Sequence, residues 1–241
     1  MKNSARDLLA SYIDALYPII YINHFDFKVI DEIIADITDG RKVVEYNNGL
    51  GIVDFKTKYP KKKCNLYEFL QLVKDDGYEY PMFIVLKDVH GQLDSPEIIS
   101  LLKYIAERNL YNESYAASIF VVSSKLCIPE ELEDLITIFD IPLPAVPEIK
   151  NIMEEFTDDM DIEVPEEVLN EIALSFKGLN EFQIKQILNL AYQDGGSLDF
   201  DDKQLILRQK EQLIKKAGLL EMISVHDSID DIGGLENLKE W

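Results

Sequence analysis

A short apolar run, Met82 to Leu86, most constrains what this chain can fold into. It lies in the stretch PMFIVLKDVHGQLD, residues 81–94, where Lys87 and Asp88 follow it and a turn begins at His90. A short apolar run that ends in turn residues predicts a strand buried on both faces, as in parallel sheets covered by helices. Such sheets bind their ligands at the carboxyl ends of the strands. The sequence therefore predicts that Asp88 lies at the ligand-binding edge of a sheet.

Strands and helices alternate on both sides of this run. Residues 19–22 and 117–123 are two further candidates for buried strands. Asp26 is a candidate N-cap for a helix that ends at Gly40, and Asn65 with Glu68 three residues later forms a capping-box-like helix start. Because the alternation extends from residue 17 to residue 141, it predicts an α/β fold with a mostly parallel sheet and helices on both faces. The other predicted elements are helices over 4–16, 65–73 and 96–105, a strand over 135–141, and a hairpin of 42–46 and 51–55 whose turn, Asn47-Asn48-Gly49, favours positive φ.

Prolines mark the predicted domain boundary. Pro142, Pro144 and Pro147 stand within six residues, and such a segment continues neither a helix nor a central strand. Beyond it the apolar periodicity is helical only, which predicts a small helical bundle. Its predicted helices cover residues 148–156, 165–176, 180–193 and 200–217.

The charge balance narrows the possible partners. The 241 residues include 24 basic and 45 acidic ones, which gives a net charge of −21. This charge opposes binding to nucleic acid or to an anionic membrane and favours proteins, basic surfaces or metal-chelated ligands as partners. Cys64 and Cys127 are too few for a disulfide framework or a zinc knuckle. No apolar run reaches the roughly 20 residues of a membrane span and the start is no signal peptide, so we expect a cytoplasmic location.

Several phrases of the sequence resemble a known family. The tail SIDDIGGLENLKEW, residues 228–241, resembles the segment that leads into the ATPase domain of AAA proteins. The first 220 residues resemble the degenerate AAA-like N-terminal region of AAA ATPases encoded in chloroplast, cyanobacterial and other bacterial genomes. The phrases that carry this second resemblance are FIVLKDVH, SIFVVSSKLCIPEELE, FDIPLP and FKGLNEFQIKQIL.

The resemblance implies a three-part organisation. Residues 1–144 are expected to form a degenerate P-loop NTPase core, residues 145–218 a helical lid-like domain, and residues 219–241 a linker to an active AAA domain. It implies ATP and Mg²⁺ as cofactors of the full-length protein, and oligomerisation with neighbouring AAA subunits. It also implies that a phosphate loop follows Trp241 within a few tens of residues.

The chain departs from this family where nucleotide would bind. A phosphate loop has the form G-x-x-x-x-G-K-[ST], because glycine amides surround the phosphates and lysine neutralises the terminal one. No such string occurs in the sequence. Between Ile22 and the predicted helix stand only Asn23, His24 and Phe25. Asp26 at the helix start would repel a phosphate.

The remaining catalytic positions are also incomplete. Asp88 is a single acid at the Walker B position, and Val89 follows it where an active AAA enzyme carries the catalytic glutamate. The helix after Gly178 offers Asn180 and Lys185 but no arginine. We therefore assign no catalytic residue, metal ligand or cofactor to this part of the protein. The degenerate positions of the nominal nucleotide site are Asn23, His24, Asp26, Asp88 and Asn180.

Other chemistry has weaker support. Asp88, His90 and Asp94 carry metal-ligand side chains, but they lie on one turn without a second cluster, which is typical of ordinary turn chemistry.

Three functional hypotheses remain. The favoured one is a non-catalytic AAA-like module that contacts neighbouring subunits, the active domain or a client protein. The alternatives are a domain that binds or hydrolyses nucleotide at a non-standard site, and an acidic interaction domain unrelated to AAA function.

Overall fold

A computed structural model describes residues 2–75, 82–111 and 117–217. The chain divides into two compact units, Met1–Pro142 and Leu143–Trp241. The predicted linker and leading segment, residues 219–241, lies outside the described residues. Among the helices of the described ranges, none combines the length and the apolar character that a bilayer crossing needs.

The described part of the first unit contains a seven-stranded sheet. Its strands are β1 Ile19–Asn23, β2 Lys42–Asn47, β3 Gly51–Val53, β4 Pro60–Lys62, β5 Met82–Lys87, β6 Ala117–Ser123 and β7 Ile136–Phe139. They lie in the order β4-β3-β2-β5-β6-β1-β7. The pairings β2·β5, β5·β6, β6·β1 and β1·β7 are parallel, whereas β3 and β4 are antiparallel additions at one edge. The predicted mostly parallel α/β sheet is confirmed.

Both faces of the sheet are covered by helices, as predicted. Along β5 every residue is buried. Met82, Ile84 and Leu86 belong to a core formed with α3 and α4, whereas Phe83 and Val85 belong to a core formed with α1 and α2. This alternation is the period of a strand whose neighbouring side chains point to opposite faces. The helices of this unit are α1 Lys2–Asp14, α2 Phe27–Asp36, α3 Leu66–Asp75 and α4 Pro96–Tyr111, and a 3₁₀ helix spans Glu130–Leu135.

Side-chain caps begin two of these helices at the predicted places. The Asp26 carboxylate accepts a hydrogen bond from the Lys28 N–H at 3.0 Å. Asn65 and Glu68 cap each other's N–H groups at 2.8 and 3.2 Å. The predicted end of α2 at Gly40 is wrong, because the helix ends at Asp36 and Gly40, with φ of 78°, belongs to the turn before β2. β7 is likewise shorter than the predicted strand over 135–141.

The hairpin of β2 and β3 is confirmed, but its glycine requirement lies elsewhere than predicted. The residue with positive φ is Gly51, at 79°, and not a residue of the turn Asn47-Asn48-Gly49. A Cβ atom at Gly51 would lie 2.4 Å from the Lys62 carbonyl oxygen, so glycine lets β4 approach β3 closely. The sequence did not predict β4, because Pro60–Lys62 has no apolar alternation; short edge strands rich in lysine and proline are common in sheets.

The described residues of the second unit form helices and their connections only. Their apolar faces meet in one core that includes Ile152, Phe156, Ile172 and Leu188. The first of these helices begins at Val146 and not at the predicted residue 148, so Pro147 lies in its first turn, where proline loses no helical hydrogen bond. The helices are α5 Val146–Met160, α6 Glu166–Ser175, α7 Glu181–Gly195 and α8 Asp202–Ala217.

Four charged side chains fasten α2 to the sheet of the first unit. The Lys87 ammonium, at the end of β5, lies 2.7 Å from Asp31 on α2 and 2.9 Å from Glu45 on β2. The Lys58 ammonium contacts the same two carboxylates at 2.9 and 2.6 Å. The side chains of Lys87 and Glu45 are each only 3% exposed. We call Asp31, Glu45, Lys58 and Lys87 the ion network; its formal charges cancel, which is the condition for burying charged groups.

Replacing Lys87 by alanine should destabilise the protein far more than breaking a surface pair. The change leaves the buried Glu45 carboxylate with one partner fewer, and breaking a buried pair costs about 3 kcal/mol or more. The control is Lys185→Ala, which removes a surface partner of Glu181 and should cost less than about 1 kcal/mol. Urea unfolding of the variants measures both changes in the free energy of unfolding. Equal losses would show that the ion network does not hold α2.

Candidate functional site

The carboxyl ends of β1, β6 and β5 bring three of the predicted positions together. The His24 N–H donates to the Ser123 carbonyl at 3.0 Å, and the Asp88 N–H donates to the Val122 carbonyl at 3.0 Å. When the Asn23 side-chain amide is oriented so that its oxygen and nitrogen both find suitable partners, its nitrogen donates to the Ser123 carbonyl at 3.1 Å. Asn23, His24 and Asp88 therefore surround the end of β6, as expected for residues that follow neighbouring parallel strands.

The connection from β1 to α2 is too short to enclose a phosphate. It consists of His24, Phe25 and Asp26, without a glycine. Asp26 uses its carboxylate on the Lys28 N–H, and the His24 Nδ1 accepts from the Asp26 N–H at 3.1 Å. Backbone N–H groups at a helix start are the donors that bind phosphate in P-loop proteins. Side chains of this chain already occupy two of the donors around the start of α2, and one of those side chains is negatively charged.

Asp88 has an unusual backbone conformation. Its φ is 56°, in the left-handed region that aspartate and asparagine tolerate better than most residues. Its side chain is half-buried. The single bend at this residue ends β5 and turns the chain toward α4, so Asp88 has a structural role whether or not its carboxylate binds a ligand.

The metal-site hypothesis for Asp88, His90 and Asp94 finds no geometric support. The His90 Nδ1 lies 2.8 Å from the Ser123 hydroxyl, which is fully buried. In residues 2–75, 82–111 and 117–217, no group of three histidine, cysteine or acidic side chains is arranged to hold a metal ion. The hydrogen bond to Ser123 accounts for the orientation of His90.

The chain after β6 is tied to the sheet by a tyrosine. The Tyr21 hydroxyl donates to the Lys125 carbonyl at 2.6 Å and accepts from the Cys127 N–H at 3.3 Å. Burial raises the pKa of the Tyr21 phenol, so the neutral form that donates is favoured. This contact fixes the loop after β6 by internal hydrogen bonds.

Asn180 belongs to the second compact unit and has a local role. Its side chain accepts from the Gln183 N–H at 2.9 Å, and the Gln183 side chain accepts from the Asn180 N–H at 3.0 Å. This capping box begins α7. Lys185, one turn further, pairs with Glu181 at 2.7 Å. Both polar side chains that the sequence placed near a nucleotide thus have partners on their own helix.

Lys87 is the important residue that the sequence analysis did not assign. It directly precedes Asp88 and turns into the ion network beneath α2. The signal was present in the alternation of residues 83, 85 and 87 on one face of the strand, which places a lysine where a core residue is expected. A lysine there requires acids nearby, and Asp31 and Glu45 are those acids.

The residues present do not fit ATP with Mg²⁺. The start of α2 has no glycine loop and carries the Asp26 carboxylate. The lysine at the end of β5 is bound to two carboxylates of the chain itself. Magnesium in nucleotide sites relies on phosphates that a loop has already positioned, together with one or two carboxylates. Within the described residues, Asp88 is the one carboxylate at the expected place on the sheet edge.

Comparison with known proteins agrees with this architecture. A family profile described as "SpoVK-like AAA ATPase, N-terminal domain" matches residues 5–141, and one described as "SpoVK-like AAA ATPase, second domain" matches residues 147–217. The uncharacterized AAA domain-containing protein ycf46 of Guillardia theta is 28% identical over 230 residues, covering 94% of this chain and 45% of that protein. The ycf46 protein of Trieres chinensis is 28% identical over 244 residues, covering 98% and 47%. The chain thus spans about half the length of the curated relatives it matches.

Solved structures share the fold at low sequence identity. A chain of the E. coli MS115-1 HORMA:CdnC:Trip13 complex superposes with a TM-score of 0.59 at 7% identity, covering 86% of this chain and 87% of that one. C. elegans PCH-2 gives a TM-score of 0.51 at 14% identity, covering 88% and 68%. The resemblance to the N-terminal region of AAA ATPases is therefore confirmed by both sequence and fold. This chain belongs to the SpoVK-like AAA ATPase family, whose N-terminal and second domains it contains.

Proposed function

We propose that this chain is a non-catalytic AAA-like module of a larger AAA ATPase and does not itself bind nucleotide. In this proposal another part of the full-length protein binds ATP and Mg²⁺ and hydrolyses the nucleotide. The module contributes contacts to protein partners, to neighbouring AAA subunits or to the active domain, and so acts in assembly or regulation.

The observation that carries the proposal is the short connection between β1 and α2. Three residues without glycine join the strand to the helix, and the side chains of His24 and Asp26 cap the chain there. An incoming phosphate would have to displace the Asp26 carboxylate and overcome its charge. Displacing this carboxylate and overcoming its charge would cost free energy. Contacts to the base and the ribose would have to offset that cost before ATP could bind.

The ion network supports the same proposal. In a nucleotide-dependent domain, the ligand contributes to holding the helix after β1, because it binds at the helix start. Here Asp31 on α2 is held by Lys87 and Lys58, which belong to the chain itself. The arrangement of α2 on the sheet is thus complete without a ligand, as an interaction module requires.

The net charge and the free cysteines support the partner classes and the cytoplasmic location that were expected from the sequence. A net charge of −21 disfavours nucleic acid and anionic membranes as partners. Cys64 and Cys127 are both free thiols, which agrees with a reducing compartment such as the cytoplasm.

ATP with Mg²⁺ should leave the melting temperature of this chain unchanged. A ligand at 100 times its Kd stabilises the native state by about 2.7 kcal/mol, which raises the Tm of a chain of this size by roughly 5–10 °C. An active AAA domain, measured under the same conditions, is the positive control, and Mg²⁺ alone is the blank. A saturable rise in Tm that requires ATP would refute the proposal that the module binds no nucleotide.

The variant Asp88→Asn should fold normally and should release no less phosphate from ATP than the parent does. Asparagine tolerates the left-handed φ of Asp88 and keeps its shape while removing the charge. We expect background phosphate release from both purified proteins, and equal Tm within about 2 °C because the half-buried side chain is replaced by one of the same size. Magnesium-dependent turnover in the parent that disappears in the variant would instead identify Asp88 as part of an active site.

A further inference from the structure

A cavity of about 1070 Å³ opens beside β2, away from the carboxyl edge described above. Its described walls come from the end of α2, the first half of β2, β3, the turn after β3, and α3. Apolar side chains form much of the lining, among them Val44, Ile52, Phe69 and Val73. None of the degenerate nucleotide positions is among the described residues that line it.

Among the residues that the structure describes, the first half of β2 is an open sheet edge. β3 pairs only with Glu45–Asn47, and its chain departs after Val53. The Asn48 N–H donates to the Lys87 carbonyl on β5, so the alternation of a strand directs the N–H and C=O groups of Val43 away from β5, toward the cavity. Among the described residues, no hydrogen bond outside the strand ladders reaches the Val43 backbone.

A rigid turn keeps this edge open. The Asp54 carboxylate accepts from the N–H groups of Lys56 and Thr57 at 3.1 and 2.9 Å, and Lys61 lies 2.6 Å from it. The hydrogen bonds from Lys61 and Thr57 hold the pKa of Asp54 well below its usual range. The turn therefore stays formed at neutral pH and carries the chain into β4 instead of along Val43.

The rim of the cavity is basic in a chain that is strongly acidic. Residues 56–63 contain five of the 24 basic residues, while the whole chain has a net charge of −21. Lys58 belongs to the ion network and Lys61 pairs with Asp54. With Glu45 and Asp54 paired in this way, the described lining keeps three basic side chains, Arg41, Lys42 and Lys56, against one acid, Asp39. Lys62 and Lys63 are exposed but are not among the residues that line the cavity. Local positive charge beside an apolar cavity selects a ligand that is both acidic and partly apolar.

We infer that this edge binds an extended acidic peptide segment of a partner protein, which adds a strand beside β2. The inference rests on the proposed function of the chain as an interaction module and gives that module a contact surface. The peptide backbone pairs with the N–H and C=O groups of Val43, its apolar side chains enter the cavity, and its acidic side chains reach Lys42 and Lys56, which line it. Backbone pairing supplies affinity and the alternate side chains supply specificity, as in other cases of strand addition.

The probe is a fluorescein-labelled peptide of about ten residues in which glutamate alternates with valine, since a strand presents alternate side chains to opposite faces. A second peptide has the same composition with all glutamates before all valines, so it keeps the charge but loses the alternation. Fluorescence anisotropy measures both affinities. We expect the alternating peptide to bind at least about tenfold more tightly, because only it satisfies the edge and the cavity together.

The variant Val43→Pro tests the backbone contact. Proline has no backbone N–H, and the N–H of Val43 is the one that faces the cavity. The proline ring also obstructs an added strand, whereas the pairing of β2 with β5 is retained. We expect an affinity loss of about tenfold or more for the alternating peptide. In the parent, hydrogen exchange of the Val43 amide should slow on binding. Far-UV circular dichroism and the Tm establish that the variant is folded.

A charge-reversal pair tests the rim without altering the backbone. The double variant Lys42→Glu with Lys56→Glu reverses two exposed charges that line the cavity and should weaken binding by about tenfold or more at low salt. The matched control, Lys125→Glu, changes an exposed lysine beside the carboxyl edge and should leave binding unchanged.

Four results would overturn the inference. They are equal binding of the two peptides, full binding by the folded Val43→Pro variant, tighter binding of a single-stranded RNA probe, and a self-association in analytical ultracentrifugation that Val43→Pro abolishes. The third would make the basic rim a nucleic-acid site, and the fourth would make a second copy of the chain the occupant. A fifth result, the absence of any peptide binding, would also overturn it. That result would leave the ATP titration unchanged, and with it the proposal that the module binds no nucleotide.

Discussion

The position of α2 depends on one buried ammonium group, that of Lys87. A buried charge is tolerated only when partners surround it, and here one carboxylate comes from α2 and the other from β2. Because Asp31 must reach Lys87, α2 cannot slide or rotate on the sheet without separating charges in a region of low dielectric. In addition, only three residues separate the end of β1 from the start of α2. The short connection and the fixed helix together leave no length of chain from which a phosphate loop could form.

The sequence predicted those structural features that depend on residues close to one another along the chain. The run Met82 to Leu86 predicts its buried strand because burial on both faces leaves a local signal, and Asp26 and Asn65 predict their helix starts because a cap acts over three residues. The ion network could not be assigned in the same way, since its members lie on α2, β2, β5 and the turn between β3 and β4, which only the fold brings together. The sequence did not predict β4 for a related reason. The pairing of β4 with β3 depends on the close approach that Gly51 permits, and not on any pattern within Pro60–Lys62.

The nominal nucleotide site shows how a fold can be retained while its chemistry is absent. The parallel strands still end side by side, so Asn23, His24 and Asp88 still meet around β6. However, the N–H groups of His24 and Asp88 already donate to backbone carbonyls of β6. The side chains of His24 and Asp26 cap the connection that follows β1. An edge whose donors are satisfied internally gains little from a ligand, because binding would exchange one set of hydrogen bonds for another. Fold similarity to solved AAA structures is thus evidence of shape, and the function has to be argued from the residues at the edge.

The open edge of β2 differs from the carboxyl edge in this respect. An unpaired edge strand is a liability in a soluble sheet, and sheets commonly cover such edges or shorten them. Here β3 could have continued along Val43, but the Asp54 turn diverts it, and an apolar cavity remains between the helices on either face. Lysines beside the cavity discourage pairing with another basic edge and favour an acidic one. An edge that is left unpaired, given an apolar cavity and flanked by charge of one sign has the properties of a binding surface more than those of a structural defect.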